Sequence, residues 1–282
     1  MNKFFASIYF LLFYIFTVVT TAQAEQSTRL PLTEYDPKSS QIAIALKPSD
    51  YQSIGNRIYQ NECASNINNL AFWSRHEAFP SLGIAHFIWF PRASNFPFVQ
   101  TFPEFLNFLQ LHSPKQYQAL IAILGIQSHA FAPWASREAF YGNNHSEMRI
   151  KLQNWFHQSK TIQAEFIVDR FLKQIDQIRA TKQLSNSSWH HLQKIIHSSS
   201  GLFALIDYSN FKGFGTHPKE SYQGQGWGVL QVIQAMPDDC IDPLKCFKHA
   251  AKNVLKQRVA NAPENLSEQR WLKGWFHRID GY

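Results

Sequence analysis

The sequence predicts a mainly α fold with a small β hairpin or sheet. Three observations carry this. Long stretches after Pro103 place apolar residues at helical spacing, residues 72–103 are rich in aromatics and broken by Pro80, Pro91, Pro97 and Pro103, and no repeat of 20–50 residues is visible. Prolines at that density forbid a continuous helix, so short strands and loops are expected there.

Taken in order, the first element is a helix beginning near Tyr51, with Ile54, Ile58, Tyr59, Cys63, Ile67 and Leu70 as its apolar positions. At about 100° per residue Glu62 falls between Ile58 and Tyr59, so its carboxyl points along the apolar side. Residues 82–90 form the best strand candidate. Phe87, Ile88, Trp89 and Phe90 favour a pleated surface, and Gly83 permits a close backbone approach. Helices are then expected at about 103–112, 115–126, 146–157, 161–181, 187–198, 228–236, 243–261 and 267–279. Ile167, Phe171, Ile175 and Ile178 share one stripe, Ser187 suits an N-cap, and Pro243 suits a first helical turn.

Residues 1–24 read as a secretory signal, with Lys3, an apolar run over about 4–19 and a small-residue cleavage site at Ala22-Gln23-Ala24. An extended arm over 25–50 and one domain over 51–282 follow, and no later stretch is long and apolar enough to span a membrane. The protein is expected to be exported, either periplasmic or secreted. Its formal charge is +7, or +6 once the signal is removed, which favours anionic partners. In an exported chain these are cell-wall polymers or membrane surfaces, and nucleic acid is not expected. Of three cysteines, Cys240 and Cys246 flank a proline-containing turn and are candidates to pair, leaving Cys63 a buried thiol; other pairings stay open.

The chemistry concentrates in two stretches. In the first, Glu62 is a candidate general acid, because partial burial raises a carboxyl pKa by penalising its charged form. Glu77 is the candidate second carboxyl, and His86, on an apolar segment, is a candidate to order the two. In the second stretch, Gly213, Gly215, Gly224, Gly226 and Gly228 precede a helix starting near Val229. Such glycines let a backbone approach something closely, and a helix start presents N–H donors. Gly224, Gln225, Gly226, Trp227, Gln231, Asn210 and Trp89 are the candidate substrate contacts, with indole faces suited to stacking on sugars. No HExxH or paired CxxC motif points to metal, no nucleotide loop is present, and no cofactor is expected.

A helix glutamate, a downstream acid and the run Ser81-Leu82-Gly83-Ile84-Ala85-His86 together resemble phage-type lysozymes, in which a catalytic glutamate, an acid and a G-I-G-H hairpin follow one another. Gly226-Trp227-Gly228-Val229-Leu230-Gln231 is similar to a glycine-rich segment of lytic transglycosylases, and residues 271–278 are more weakly similar to the closing helix of phage-type lysozymes. The chain departs from the pattern in having Glu at 77, 15 residues after Glu62, and Ala at 85. The resemblance implies a lysozyme-like α+β fold and cleavage of peptidoglycan or a related anionic amino-sugar polymer, with Glu62, Glu77 and His86 at the centre. Two rival readings remain: a non-catalytic cell-wall or glycan-binding protein, and an exported protein-interaction or assembly protein.

Overall fold

A computed structural model describes residues 42, 44–91, 99–127 and 129–282. The expected signal at 1–24 and most of the arm at 25–50 lie outside the described residues. Those that are described form two compact units, 47–170 and 171–282, the second including Ile42 and residues 44–46.

In the first unit, α1 (Pro48–Cys63) starts on a proline, where no backbone donor is lost, and Asp50 Oδ2 accepts the Lys47 N–H at 2.8 Å. Its start lies three residues before the expected Tyr51. It buries Ile54, Ile58, Tyr59 and Cys63 of the stripe read from the sequence, but ends where Ala64 turns left-handed at φ 52°, so Ile67 and Leu70, expected on the same helix, lie beyond it. A 3₁₀ turn, Ile67–Leu70, leads into an antiparallel meander of β1 (Ala71–Phe72), β2 (Ser81–Leu82) and β3 (Phe87–Ile88). Ala71 faces Leu82, and Leu82 faces Phe87.

The strand expected over 82–90 is therefore two short strands with a turn between them. Gly83 at φ +74° and His86 at φ 52° reverse the chain, and the Gly83 N–H donates to the Leu70 carbonyl at 2.8 Å. Positive φ at both positions is incompatible with continued pleating. β propensity on either side was real, and the glycine divided it.

Around the meander pack α2 (Phe102–His112), α3 (Pro114–Leu124), α4 (Arg137–Tyr141), α5 (Ser146–Gln158) and the first half of α6 (Lys160–Ala180). The core is aromatic. Phe87 stacks on Phe105 at 4.9 Å, Phe166 meets both at 5.3 Å, and Trp89 lies 4.6 Å from Phe102.

The second unit holds α7 (Asn186–Ile196), α8 (Ser199–Lys212), the hairpin β4 (Ser221–Tyr222) and β5 (Gln225–Gly226), α9 (Val229–Gln234), α10 (Pro243–Asn261) and α11 (Leu272–Asp280). The cap of α7 is Ser185, not Ser187, its Oγ accepting the Ser188 N–H. α8 was not foreseen: residues 201–209, 211 and 212 are buried, so no polar face sets off an apolar stripe. Its Asp207 is 1% exposed at the side chain and takes a two-pronged ion pair from Arg278 at 2.7 and 2.8 Å. Cys240 and Cys246 are joined in a disulfide, and Cys63 is a buried thiol.

Candidate functional site

The first unit gathers Glu62, Cys63, Asn69 and His86. Glu62 stands half-buried on the last turn of α1, one residue before the Cys63 thiol. Cys63 Sγ lies 3.8 Å from His86 Nε2 and within 3.7–4.0 Å of the Asn69, Gly83 and Ile84 carbonyls. Burial, with a smaller push from the Glu62 charge, raises the thiol far above its ordinary value, which makes it a poor nucleophile. Burial also lowers His86, opposed by Glu62 and by a hydrogen bond to the Asn69 backbone. The imidazole is therefore neutral near pH 7, sitting within electrostatic reach of the glutamate.

Two connections place the other groups. The β1–β2 link, residues 73–80, carries Glu77, and the β2–β3 link, residues 83–86, carries His86, so the two leave opposite ends of β2. With strands of two residues those ends are only about 7 Å apart along the strand. The turn at 73–77 is tied internally: Trp73 Nε1 donates to the Glu77 carbonyl at 2.9 Å, and the Glu77 N–H to the Ser74 carbonyl at 3.2 Å. Burial pushes the half-buried Glu77 carboxyl up to about 7. It accordingly keeps its proton into the neutral range, a property that acid catalysis of glycoside cleavage uses.

The turn at 83–86 is held from α6. Gln163, fully buried, accepts the Ile84 N–H on Oε1 at 2.9 Å, while its Nε2 donates to the Phe156 carbonyl and Ser159 Oγ at 2.7 and 3.0 Å. A Cβ on residue 83 would come 2.5 Å from that same Oε1. Gly83 is thus needed twice, for its backbone angle and for the room it leaves.

The remaining candidates fall elsewhere. Trp89 is 0% exposed, its indole N–H on the His129 carbonyl at 3.1 Å, so it offers no face to a sugar. Asn210, Gly224, Gln225, Gly226, Trp227 and Gln231 belong to the second unit. Asn210 is exposed on α8, Gly224 forms the β4–β5 turn at φ +76°, and Gln225 accepts from Asn261 Nδ2 at 3.2 Å. Trp227, expected to stand out between two glycines, is 6% exposed, with the Arg258 guanidinium 4.0 Å over its ring and Tyr222 4.5 Å away. Gln231 accepts the Gly228 N–H at 3.0 Å and donates to the Gly215 carbonyl at 3.1 Å. A Cβ at Gly226 would meet the Gln231 side chain, and one at Gly228 would meet the Gly215 backbone. What these glycines approach closely is their own chain.

Sequence reasoning missed Asn69 and Gln163, and also Arg137 and Tyr141, which bind the Trp73 backbone, and Arg149, which bonds the Phe140 carbonyl. A polar residue that binds backbone across tens of positions leaves no local pattern to read. A groove of about 460 Å³ in the second unit, lined by Asp242, Lys245, Lys248, Lys252 and Asp280 among others, contains none of the candidates. Among the described residues no cluster of His, Cys, Asp and Glu has metal-binding geometry, and no helix is long and apolar enough to cross a membrane. No family model, curated protein or solved structure matches the chain.

Proposed function

We propose that this protein is an exported glycan-cleaving enzyme acting on peptidoglycan or a related amino-sugar polymer, with a lysozyme-like centre built on the small meander. The observation that carries the reading is the grouping of a helix-end glutamate with a half-buried histidine whose pKa is lowered, together with a second carboxyl, on the neighbouring link of the meander, whose proton persists to about pH 7. Glu62 donates a proton to the glycosidic oxygen, and Glu77 supports the cationic transition state once ionised. His86 orders the carboxyls and does not attack. The Cys240–Cys246 disulfide supports an oxidising compartment, in keeping with export.

A second assignment of roles is favoured by one observation, the raised Glu77 carboxyl: Glu77 as proton donor and Glu62 as charged partner. The pH profile separates them. Activity that rises through about pH 7 identifies Glu77 as the charge, and activity that falls there identifies it as the donor. The deciding experiment for the function compares purified protein with Glu62→Gln and Glu77→Gln on insoluble peptidoglycan, soluble fragments being identified by mass. Loss of release by at least about 100-fold in Glu62→Gln is expected. Release unaffected by both substitutions, or absent from the wild type, removes the catalytic reading; retained binding without release then favours a binding module.

A further inference from the structure

We propose that Arg137 and Arg149 form a subsite for a carboxylate of the glycan, by which the enzyme takes acidic amino-sugar polymers in preference to neutral ones; the claim on turnover rests on the function proposed above. Both arginines are half-buried and stack on one ring, their guanidinium carbons 4.6 and 5.2 Å from the Tyr141 centroid. Arg137 Nε donates to the Trp73 carbonyl, and Arg149 Nη1 to the Phe140 carbonyl, each at 2.9 Å. Tyr141 completes the attachment by accepting the Trp73 N–H at 3.0 Å. These bonds occupy one donor of each guanidinium.

What is missing is a close ion pair, although the exposed Glu138 next to Arg137 feels its charge. Arg170, Arg258 and Arg278 each hold a carboxylate at 2.6–2.8 Å, whereas among the described residues neither Arg137 nor Arg149 lies within 4.0 Å of one. Two like charges against one tyrosine repel, and withdrawal from water strengthens the repulsion. The ring relieves part of it through cation–π attraction. An arriving carboxylate relieves more, and the planar forks with their remaining N–H groups suit its two oxygens.

The location gives the pair its meaning. Trp73, whose backbone Arg137 and Tyr141 grip, begins the turn that carries Glu77, and its indole binds the Glu77 carbonyl. A carboxylate held there anchors the sugar bearing it to the same turn as the second catalytic carboxyl. Amino sugars carrying an acidic ether substituent, as in bacterial wall polymers, supply such a group, and chitin-type polymers do not.

The test titrates the whole protein, in a Glu62→Gln background to prevent turnover, with a wall disaccharide bearing a free carboxyl and with its neutral methyl amide. The acidic form is expected to bind about tenfold more tightly, and Arg149→Gln to bring the ratio below about twofold with affinity for the amide unchanged. Should Arg149→Gln melt early, Arg149→Lys retains charge without the fork and is expected to reduce the ratio to about threefold. Equal binding of acid and amide, no measurable binding of either, or a ratio preserved in a folded Arg149 variant overturns the subsite. Peptidoglycan release, measured in parallel on proteins with Glu62 intact, distinguishes the failures. Release by wild type without acid preference overturns the subsite alone, and no release overturns the proposed function while a ratio abolished by Arg149→Gln still upholds the subsite.

Discussion

At the scale of single residues, Glu77 carries the clearest physical signature. Burial moves its carboxyl from 4.5 to about 7, so the folded protein holds a proton that the unfolded chain releases earlier. The contribution of Glu77 to stability is therefore most favourable below pH 4.5 and falls as pH rises to about 7, above which the loss is complete. Glu77→Gln is expected to flatten this slope, a difference of about 2 kcal/mol between pH 4.5 and 7.5 after allowing for the water that still reaches the group. Urea unfolding at several pH values measures it; identical slopes in the two proteins would refute it. Glu62 was placed by periodicity, since a phase of 100° per residue is a local property. The environment of Glu77 was not legible, because its burial depends on the turn at 73–77 closing through Trp73.

At the scale of elements, the meander stands on one glutamine. Gln163→Leu removes three hydrogen bonds and leaves the Ile84 N–H buried without a partner, which is expected to cost about 3 kcal/mol. Gly83→Ala is expected to cost more than about 2 kcal/mol, since the left-handed angle and the crowding by Oε1 add. Both are measured by denaturant unfolding, and in both peptidoglycan release should fall more steeply than stability, because His86 leaves its position. Helices with one wet face, such as α5 and α10, were readable to within a residue or two. α8 was not, because continuous burial over 201–209 erases periodicity, and the split of 82–90 was not, because propensity sees the strands and not the turn.

At the scale of the whole molecule, each unit is closed by charge as well as by apolar packing. Asp207 and Arg278 link α8 to α11 inside the second unit. Arg278→Met strands a buried carboxylate and is expected to lower stability by about 3–5 kcal/mol, read from thermal unfolding near neutral pH. The disulfide closes a short loop, so replacing both Cys240 and Cys246 by Ser is expected to cost about 2 kcal/mol. The +7 charge was legible by counting, and it predicts that sedimentation with acidic wall polymer weakens as salt rises through about 0.15 M. The division of the chain into two units was not legible, because no linker composition marks it: the boundary falls within the continuous helix α6.

The oxygen that binds Ile84 occupies the space a side chain at position 83 would need. The two positions are thus constrained together by contact: a side chain at 83 is accommodated only if residue 163 is shortened as well, and the Ile84 N–H then needs another acceptor. A relative that lacks the glycine should lack the glutamine too, while the left-handed angle at 83 favours glycine even where residue 163 has changed. A glycine at the meander turn together with a glutamine on the following long helix is therefore a more discriminating mark of kinship than the helix glutamate alone.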